Sequence, residues 1–280
     1  MVDLAAITAA RERLVGRIIH TPVVYSQTLS RLSGRQVFLK LENLQTTGSF
    51  KLRGSLNKLT CLQETGRQSG VVAASAGNHA QGVALAAALA GLPATIVMPL
   101  WASLSKQLAT EGYGGRVIRH GQTLAEALLH AQTLAQTGLT FIHPFDDPQI
   151  IAGQGTLGLE LLEDLPDLTS VLIPVGGGGL AAGVGLAIKN SQPQVKVYGV
   201  QTALVPSVRA ALDAGRPVAV PGAPTLADGI NVTCLGAHTF PILRDYLDGL
   251  ALVSEDQPRF PGTFDHPFGP GRGQYPLPEP

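Results

Sequence analysis

The sequence predicts an α/β protein with two open, mostly parallel β-sheets that carry helices on both faces. Two observations support this prediction. Short apolar runs typical of buried strands alternate with longer runs of helical composition, which is the pattern of βαβ units. The length of 280 residues is also sufficient for two such sheets with their cores. We expect the functional site to lie between the two sheets.

The predicted elements follow one another in a regular order. A first helix is predicted within 1–20, because Leu4, Ile7, Leu14 and Ile18 fall on one helical face. The predicted strands are the apolar runs 37–41, 71–74, 94–98, 116–119, 171–175 and 195–200. Further helices are predicted from the turn after 74 to 90, over about 124–136 and over 180–189. From 258 to 280 the composition changes to Pro, Gly and Phe without periodicity, so we expect this tail to be extended or disordered.

Composition and charge exclude several classes of function. The formal net charge is zero and no run of Lys or Arg is present, which argues against a nucleic-acid partner. The two cysteines, Cys61 and Cys234, have no metal-ligand spacing and are too few for a disulfide framework. Residues 1–20 lack the apolar core of a secretory signal, and the longest mostly apolar run, 82–92, is too short to span a membrane. We therefore expect a soluble cytoplasmic protein without a membrane partner.

One lysine stands in an apolar and turn-rich segment, Thr-Gly-Ser-Phe-Lys-Leu-Arg-Gly at 47–54. Lys51 lies between Phe50 and Leu52 in a chain of which only 14% is charged. Such a lysine can form a Schiff base with an aldehyde cofactor, since desolvation favours the neutral amine that this chemistry requires. The alternative interpretation is an ordinary solvent-facing lysine.

A run of four glycines, 176–179, joins a predicted strand to a predicted helix. Without β-carbons, their backbone N–H groups are free to surround an anion, and the N-terminus of the helix near Leu180 adds its positive end. We therefore predict a phosphate site, with a flexible turn as the alternative. The run loosely fits a dinucleotide fingerprint, but the next strand ends in Gln201 where an acidic residue is required.

The segment Ser-Ala-Gly-Asn-His at 75–79 also joins a strand to a helix. Ser75 or Asn78 can cap that helix, and free N–H groups at its start can bind a carboxylate. Asn78 can also hydrogen-bond a phenolic oxygen. An aldehyde-binding lysine, a phosphate site and a carboxylate site are together what a pyridoxal-phosphate enzyme needs to act on an amino acid.

The sequence resembles the threonine ammonia-lyase (threonine dehydratase) and serine racemase family from about residue 5 to Gln257. The segments that carry the resemblance are 40–54, 75–82, 143–147, 152–156, 174–180 and 226–230. The resemblance implies the fold of type II pyridoxal-phosphate enzymes, which is similar to that of the tryptophan synthase β chain. It also implies a large domain formed by 1–65 and 151–257, a small domain over 66–150, and a homo-oligomer, either a dimer or a tetramer.

The resemblance assigns roles residue by residue. Lys51 matches the Schiff-base lysine, Phe50 the aromatic residue beside the cofactor ring, and Gly229 the small residue on the other side of the ring. Asn78 matches the partner of the phenolic oxygen. The positions that match the substrate-carboxylate loop are Ser75, Ala76, Gly77, Asn78 and His79. The positions that match the phosphate loop are Gly176, Gly177, Gly178, Gly179 and Leu180.

Other polar residues in these motifs have structural interpretations. We expect His143 to be a structural histidine, and Asp146, Asp147 and Asp228 to hold loops. Residues 153–156 are expected to serve helix packing. Gln201 stands where metal-stimulated members of the family have an acidic residue, so no metal site is predicted.

The activity that the resemblance implies is the deamination of L-threonine, and also of L-serine, to a 2-oxo acid and ammonia. Serine racemisation is the alternative within the same family. The resembling racemases use a serine as the second base where this chain has Ala76, so we expect elimination to exceed racemisation.

A further alternative concerns the C-terminal part of the chain. After Gln257 the resemblance stops, and family members continue with helices, a strand and a loop that contacts the pyridine nitrogen. The Pro/Gly-rich tail therefore suggests a truncated or frame-shifted product of such a gene. For such a product we expect low solubility or weak cofactor retention, and activity well below that of a full-length relative.

Overall fold

A computed structural model of the chain describes residues 2–66 and 69–255. The tail from 258 to 280, and its predicted disorder, lie outside the described residues. Within the described part, no helix combines the length and the apolar composition that a bilayer crossing requires.

The described residues form helices and strands in close alternation. The helices are α1 Leu4–Leu14, α2 Gln27–Ser33, α3 Lys51–Glu64, α4 Asn78–Leu89, α5 Leu104–Gly112, α6 Leu124–Ala135, α7 Pro148–Asp164, α8 Gly179–Ser191, α9 Ser207–Ala214 and α10 Thr239–Tyr246. The strands are β1 Val23–Tyr25, β2 Phe38–Lys40, β3 Val71–Ala74, β4 Ala94–Met98, β5 Gly115–Arg119, β6 Thr140–Phe141, β7 Ser170–Pro174, β8 Lys196–Thr202 and β9 Gly249–Val253. Two 3₁₀ turns cover Glu42–Leu44 and Asp228–Ile230.

The first parallel sheet has the strand order β5-β4-β3-β6. Strands β3 and β4 have the bounds that the apolar runs predicted. The chain adds β4 and β5 on one side of β3 and then returns to place β6 on the other side. The strand order therefore reverses between β3 and β6, and ligands of open α/β sheets bind at such reversals.

Helices cover both faces of this first sheet, as the sequence predicted. Val71 and Ala73 point into a core shared with α3 and α4. Val72 and Ala74, which alternate with them, point into a separate core with Ala127 of α6. The alternation follows from the period of two along a strand, and both sets are apolar because both faces are buried.

The second parallel sheet has the order β7-β8-β9. On one face, Ile173, Val197 and Leu250 pack into the largest core, together with residues of α1, α7, α8 and α10. Leu172 lies on the opposite face and is 62% exposed. The predicted strands 171–175 and 195–200 correspond to β7 and β8 with shifts of one or two residues at their ends.

Two predictions for the N-terminal part are corrected. The predicted strand at 37–41 does not belong to a parallel sheet, because β2 pairs antiparallel with β1 in a separate two-stranded sheet. The first helix ends at Leu14, so Ile18 lies beyond it. Gly16, with φ of +69°, turns the chain away there.

A buried ion-pair network ties α3 to α7 and to the N-terminal segment. The fully buried Arg53 donates to the carboxylates of Glu42 and Glu160, with N···O distances of 2.8 and 2.5 Å. Lys40 binds Glu160 and Asp164 at 2.8 and 2.9 Å. Residues with paired charges of this kind stabilise a single packing of the elements, because separation of the partners would leave a buried charge.

Candidate active site

Three of the loops singled out in the sequence lie at the carboxyl ends of parallel strands. Residues 75–79, the Ser75 loop, follow β3, and residues 143–147 follow the adjacent strand β6. Residues 176–179, the glycine loop, follow β7 of the second sheet. We call residues 143–147 the connecting segment, because its side chains and backbone contact elements that pack with both sheets.

Lys51 is the first residue of α3 and is half-buried. Its Nζ atom donates a hydrogen bond to the carbonyl oxygen of Pro144 at 2.7 Å. The ring centroid of Phe50 lies 5.2 Å from the same atom. Burial, which desolvates the charged form, lowers the pKa of Lys51 to about 8. An amine with this pKa is partly neutral near neutral pH and can attack an aldehyde.

The Ser75 loop leads directly into α4. The Oγ of Ser75 accepts a hydrogen bond from the N–H of Gly77 at 3.1 Å, which bends the chain into the helix. A β-carbon at Gly77 would meet no atom within 4 Å, so the loop borders open space. Asn78 begins the helix and is exposed, and its side chain makes no hydrogen bond to the described residues. Ala76 is half-buried against the core beneath the first sheet.

His79 is the buried member of this loop. Its Nε2 lies 3.0 Å from the carbonyl oxygen of Ile142, which can only accept, so the proton of the neutral ring is on Nε2. Its Nδ1 is buried and has no hydrogen-bond partner among the described residues. Burial, assisted by the positive charge of Lys51, lowers the pKa of His79 to about 3. The imidazole is therefore neutral at physiological pH.

The glycine loop has no room for side chains. A β-carbon at Gly177 would collide with the ring of Phe145. Gly178 has φ of +92°, a conformation that residues with a β-carbon rarely adopt. The loop is buried from Gly177 to Gly179, and Leu180, in the first turn of α8, is half-buried. Only glycine satisfies both the close approach and the positive φ.

The helices differ in how their N-termini are capped. Five helices have an N-cap Asp, Ser or Thr whose side chain accepts from the first turn: α1, α2, α5, α6 and α7. The start of α10 is capped instead by Asp146, which is distant in sequence. Among the helices without such a cap, α4 begins at the Ser75 loop and α8 at the glycine loop. Their first N–H groups therefore remain available to anions, which is what a carboxylate site and a phosphate site require.

Gly229 lies in the 3₁₀ turn Asp228–Ile230, beside the glycine loop. A β-carbon at Gly176 would lie 3.1 Å from the Cα of Ile230, whereas one at Gly229 would meet no atom within 4 Å. The structure thus brings Gly229 to the start of the glycine loop, with free space above it.

The sequence motifs assigned no role to Pro144 and Phe145. In the structure, Pro144 contacts Lys51 and Phe145 contacts the glycine loop. The Nδ1 of His143 accepts from the N–H of Asp146 at 2.8 Å and shapes the connecting segment, which agrees with the predicted structural role. Asp147 caps α7 at 2.9 Å and binds Lys58 of α3 at 2.7 Å, so it holds a loop as predicted. The only signal in the sequence was the His-Pro-Phe-Asp-Asp motif itself, which does not reveal contacts with distant residues.

The described residues fit a ligand that carries both an aldehyde and a phosphate. The desolvated amine of Lys51 suits the aldehyde, and the glycine loop, with the uncapped start of α8, suits the phosphate. Pyridoxal phosphate has both groups.

The sequence profile of the pyridoxal-phosphate dependent enzyme family matches residues 15–258. The chain is 52% identical to the L-threonine ammonia-lyase of Thermotoga maritima over 258 aligned residues. These residues cover 92% of the chain and 64% of that relative. It is 44% identical to the L-threonine dehydratase catabolic TdcB of Escherichia coli over 259 aligned residues. These residues cover 92% of the chain and 79% of that relative. The chain therefore spans less than two thirds of the length of the Thermotoga relative.

The solved structure of maize serine racemase is similar to the chain with a TM-score of 0.87 and 35% sequence identity, over 91% of the chain and 78% of that structure. The predicted fold class, with parallel sheets of the type II pyridoxal-phosphate architecture, is therefore confirmed, and so is the resemblance found in the sequence. The chain belongs to the family of pyridoxal-phosphate dependent enzymes.

Proposed function

We propose that the protein is a pyridoxal-phosphate dependent ammonia-lyase that converts L-threonine, and also L-serine, to 2-oxobutanoate or pyruvate and ammonia. The observation that carries the proposal is the desolvated amine of Lys51. The connecting segment contacts both this amine and the glycine loop, which has no side chains. The names of the relatives, L-threonine ammonia-lyase and L-threonine dehydratase, support the choice of reaction.

The proposed cofactor site uses residues of four segments. Lys51 would hold the aldehyde, and Gly176, Gly177, Gly178 and Gly179 would hold the phosphate, with Leu180 beginning the helix behind them. Phe50 and Gly229 would border the ring, and Asn78 would bind its phenolic oxygen. The bound cofactor supplies an electron sink for the charge that develops at Cα of the amino acid.

In the proposed reaction, the chain binds the substrate and transfers a proton. The N–H groups of Asn78 and His79 in the first turn of α4 would bind the substrate carboxylate, because no side chain caps this helix. Ser75, Ala76 and Gly77 would form the rest of this loop. The neutral amine of Lys51 would take the Cα proton, for which a pKa of about 8 is suitable. Loss of the β-hydroxyl as water gives an enamine, and its hydrolysis returns one water and releases the 2-oxo acid and ammonia.

Racemisation is a weaker candidate for this site. It requires a second proton-transfer group on the opposite face of the substrate. Ala76 has only a methyl group, which carries no exchangeable proton. We therefore propose that elimination is the main reaction, although the solved structures similar to the chain include serine racemases.

The proposed domain division, assembly and location follow from the same family comparison. We propose the large domain 1–65 with 151–257, the small domain 66–150 and a homo-oligomer, which sedimentation of the purified chain would test. We propose the cytoplasm as the compartment, in keeping with Cys61 and Cys234, which are both free.

The test is an absorbance spectrum and a 2-oxo-acid assay on the purified full chain with added pyridoxal phosphate. We expect a band near the visible edge and production of 2-oxobutanoate from L-threonine. A band without turnover would instead support the alternative of an inactive or weakly active product. Absence of both would contradict the proposed cofactor site.

A further inference from the structure

The connecting segment lies between Lys51 and the glycine loop. Its Pro144 carbonyl binds the amine of Lys51, and the next two residues, Phe145 and Asp146, contact the second half of the site. The proposed mechanism uses neither of these two side chains. Their contacts indicate what they do.

Phe145 forms the support under the glycine loop. Its half-buried ring occupies the space where a β-carbon of Gly177 would lie. Its own backbone passes beneath Gly179, where a β-carbon would be 2.9 Å from the Phe145 carbonyl oxygen and 3.0 Å from its Cα. The ring is packed edge-on against His143, with a centroid distance of 4.6 Å and an angle of 88°. The direction of the loop N–H groups therefore depends on the position of this ring.

Asp146 holds Phe145 in place by binding the start of α10. One carboxylate oxygen accepts from the N–H groups of His238 and Thr239 at 2.8 and 3.0 Å, and the other accepts from Ala237 at 3.0 Å. Helix α10 borders the glycine loop, since a β-carbon at Gly178 would lie 3.2 Å from the Cβ of Thr239. The start of α10 is thus occupied by Asp146, whereas the start of α8 is free for an anion.

We propose that Phe145 is a positioning residue for the glycine loop, and that Asp146 locks it by capping α10 across the site. The proposal rests on the proposed function, because it takes the glycine loop as the phosphate site. Its specific consequence is that loss of the Phe145 ring weakens the binding of the phosphate group and leaves the binding of the aldehyde unchanged.

The test compares pyridoxal phosphate with pyridoxal, which has the same aldehyde and ring but no phosphate. For Phe145→Ala we expect the Kd for pyridoxal phosphate to rise about tenfold or more, because misdirected N–H groups lose charge-assisted hydrogen bonds. The Kd for pyridoxal should stay within about twofold of the wild-type value, since the amine of Lys51 is unaffected. Phe145→Leu, which retains a bulky apolar side chain, should restore much of the affinity for pyridoxal phosphate.

Asp146 has its own pair of variants and a matched control. Asp146→Ala should produce the same phosphate-selective loss, and Asp146→Asn should be milder because the amide oxygen still accepts from α10. Asp245→Asn removes a carboxylate from an exposed pair on the same helix, where Asp245 binds Arg244, and should change neither Kd. Phe38→Ala removes a ring that contacts Tyr25 in the two-stranded sheet and should also change neither.

Inorganic phosphate separates this proposal from the proposed function, because its binding requires neither Lys51 nor turnover. We expect phosphate to raise the melting temperature of the wild-type chain and of Lys51→Ala, and to raise that of Phe145→Ala much less. If phosphate stabilises the wild-type chain more than Phe145→Ala, but the chain deaminates no amino acid, the proposed function is wrong and the role of Phe145 is retained. Equal losses for pyridoxal and pyridoxal phosphate, or an unchanged response to phosphate in Phe145→Ala, would overturn the role of Phe145.

Discussion

The amine of Lys51 donates to the carbonyl oxygen of Pro144 at 2.7 Å, across 93 residues of sequence. This contact holds the start of α3 against the connecting segment, which follows the first sheet. Desolvation lowers the pKa of this amine to about 8, and its hydrogen-bond partner is a neutral carbonyl rather than a carboxylate.

The first prediction concerns the ionisation of Lys51. The amine is half neutral near pH 8, whereas an ordinary lysine has a pKa of about 10.4. Binding of pyridoxal by the wild-type chain should therefore rise with pH with a midpoint near 8. Lys51→Ala should lose the absorbance band near the visible edge, and Lys196→Ala, which changes an exposed lysine, should retain it. Full lyase turnover by Lys51→Ala with the band intact would contradict the assignment.

The second prediction concerns stability in acid. The pKa of His79 is about 3 in the folded chain and about 6.5 in an unfolded one. The unfolded chain therefore binds more protons between these values, so the free energy of unfolding falls as the pH drops below about 6.5, by up to about 1.4 kcal/mol per pH unit. His79→Gln, whose amide can still donate to Ile142, should reduce this slope in urea denaturation.

The third prediction concerns the buried ion pairs of Arg53. Arg53→Met leaves Glu42 and Glu160 without their shared partner, and the loss of one member of a buried pair costs about 3–5 kcal/mol. Urea denaturation should show a decrease of this size in the free energy of unfolding. The control is Arg244→Met, since Arg244 is exposed in its pair with Asp245 and such pairs contribute about 0–1 kcal/mol. Similar effects of the two changes would be evidence against the network as a stabilising element.

The fourth prediction concerns the glycine loop. Gly177→Ala places a methyl group where the ring of Phe145 lies. Overpacking of this kind costs about 1–3 kcal/mol, so we expect a lower melting temperature and weaker pyridoxal-phosphate binding. Gly112→Ala adds a methyl group in α5, where no atom lies within 4 Å. It should not lower the melting temperature, because alanine favours a helix more than glycine does, and it should leave cofactor binding unchanged. If Gly177→Ala binds the cofactor with wild-type affinity, the loop tolerates a side chain and the prediction is wrong.

The fifth prediction concerns reaction specificity at Ala76. The wild-type chain should form pyruvate from L-serine much faster than D-serine, because Ala76 has no exchangeable proton. Ala76→Ser supplies a hydroxyl at that position and should raise the ratio of D-serine to pyruvate about tenfold or more, since positioned acid–base groups contribute 10²–10⁴ in rate. A chiral assay of both products measures the ratio. If the wild-type chain forms D-serine as fast as pyruvate, elimination is not its main reaction.

The sequence alone determined the strands and loops whose character is local. The apolar runs of β3 and β4 marked their own bounds, and the four glycines after β7 marked a tight turn between a strand and a helix. Such features depend on side-chain burial and on backbone freedom within a few residues, so composition and order reveal them. The candidate role of Lys51 followed from its neighbours only together with the two later loops and the family resemblance.

The tertiary structure decided which distant groups meet. The antiparallel pairing of β2, the carbonyl partner of Lys51, the tautomer of His79 and the position of Phe145 all depend on contacts between segments far apart in sequence. No local pattern distinguishes Phe145 from any other half-buried aromatic residue. Its role appears only because the strand order reverses between β3 and β6, which places the connecting segment at the edge of the first sheet that meets the glycine loop.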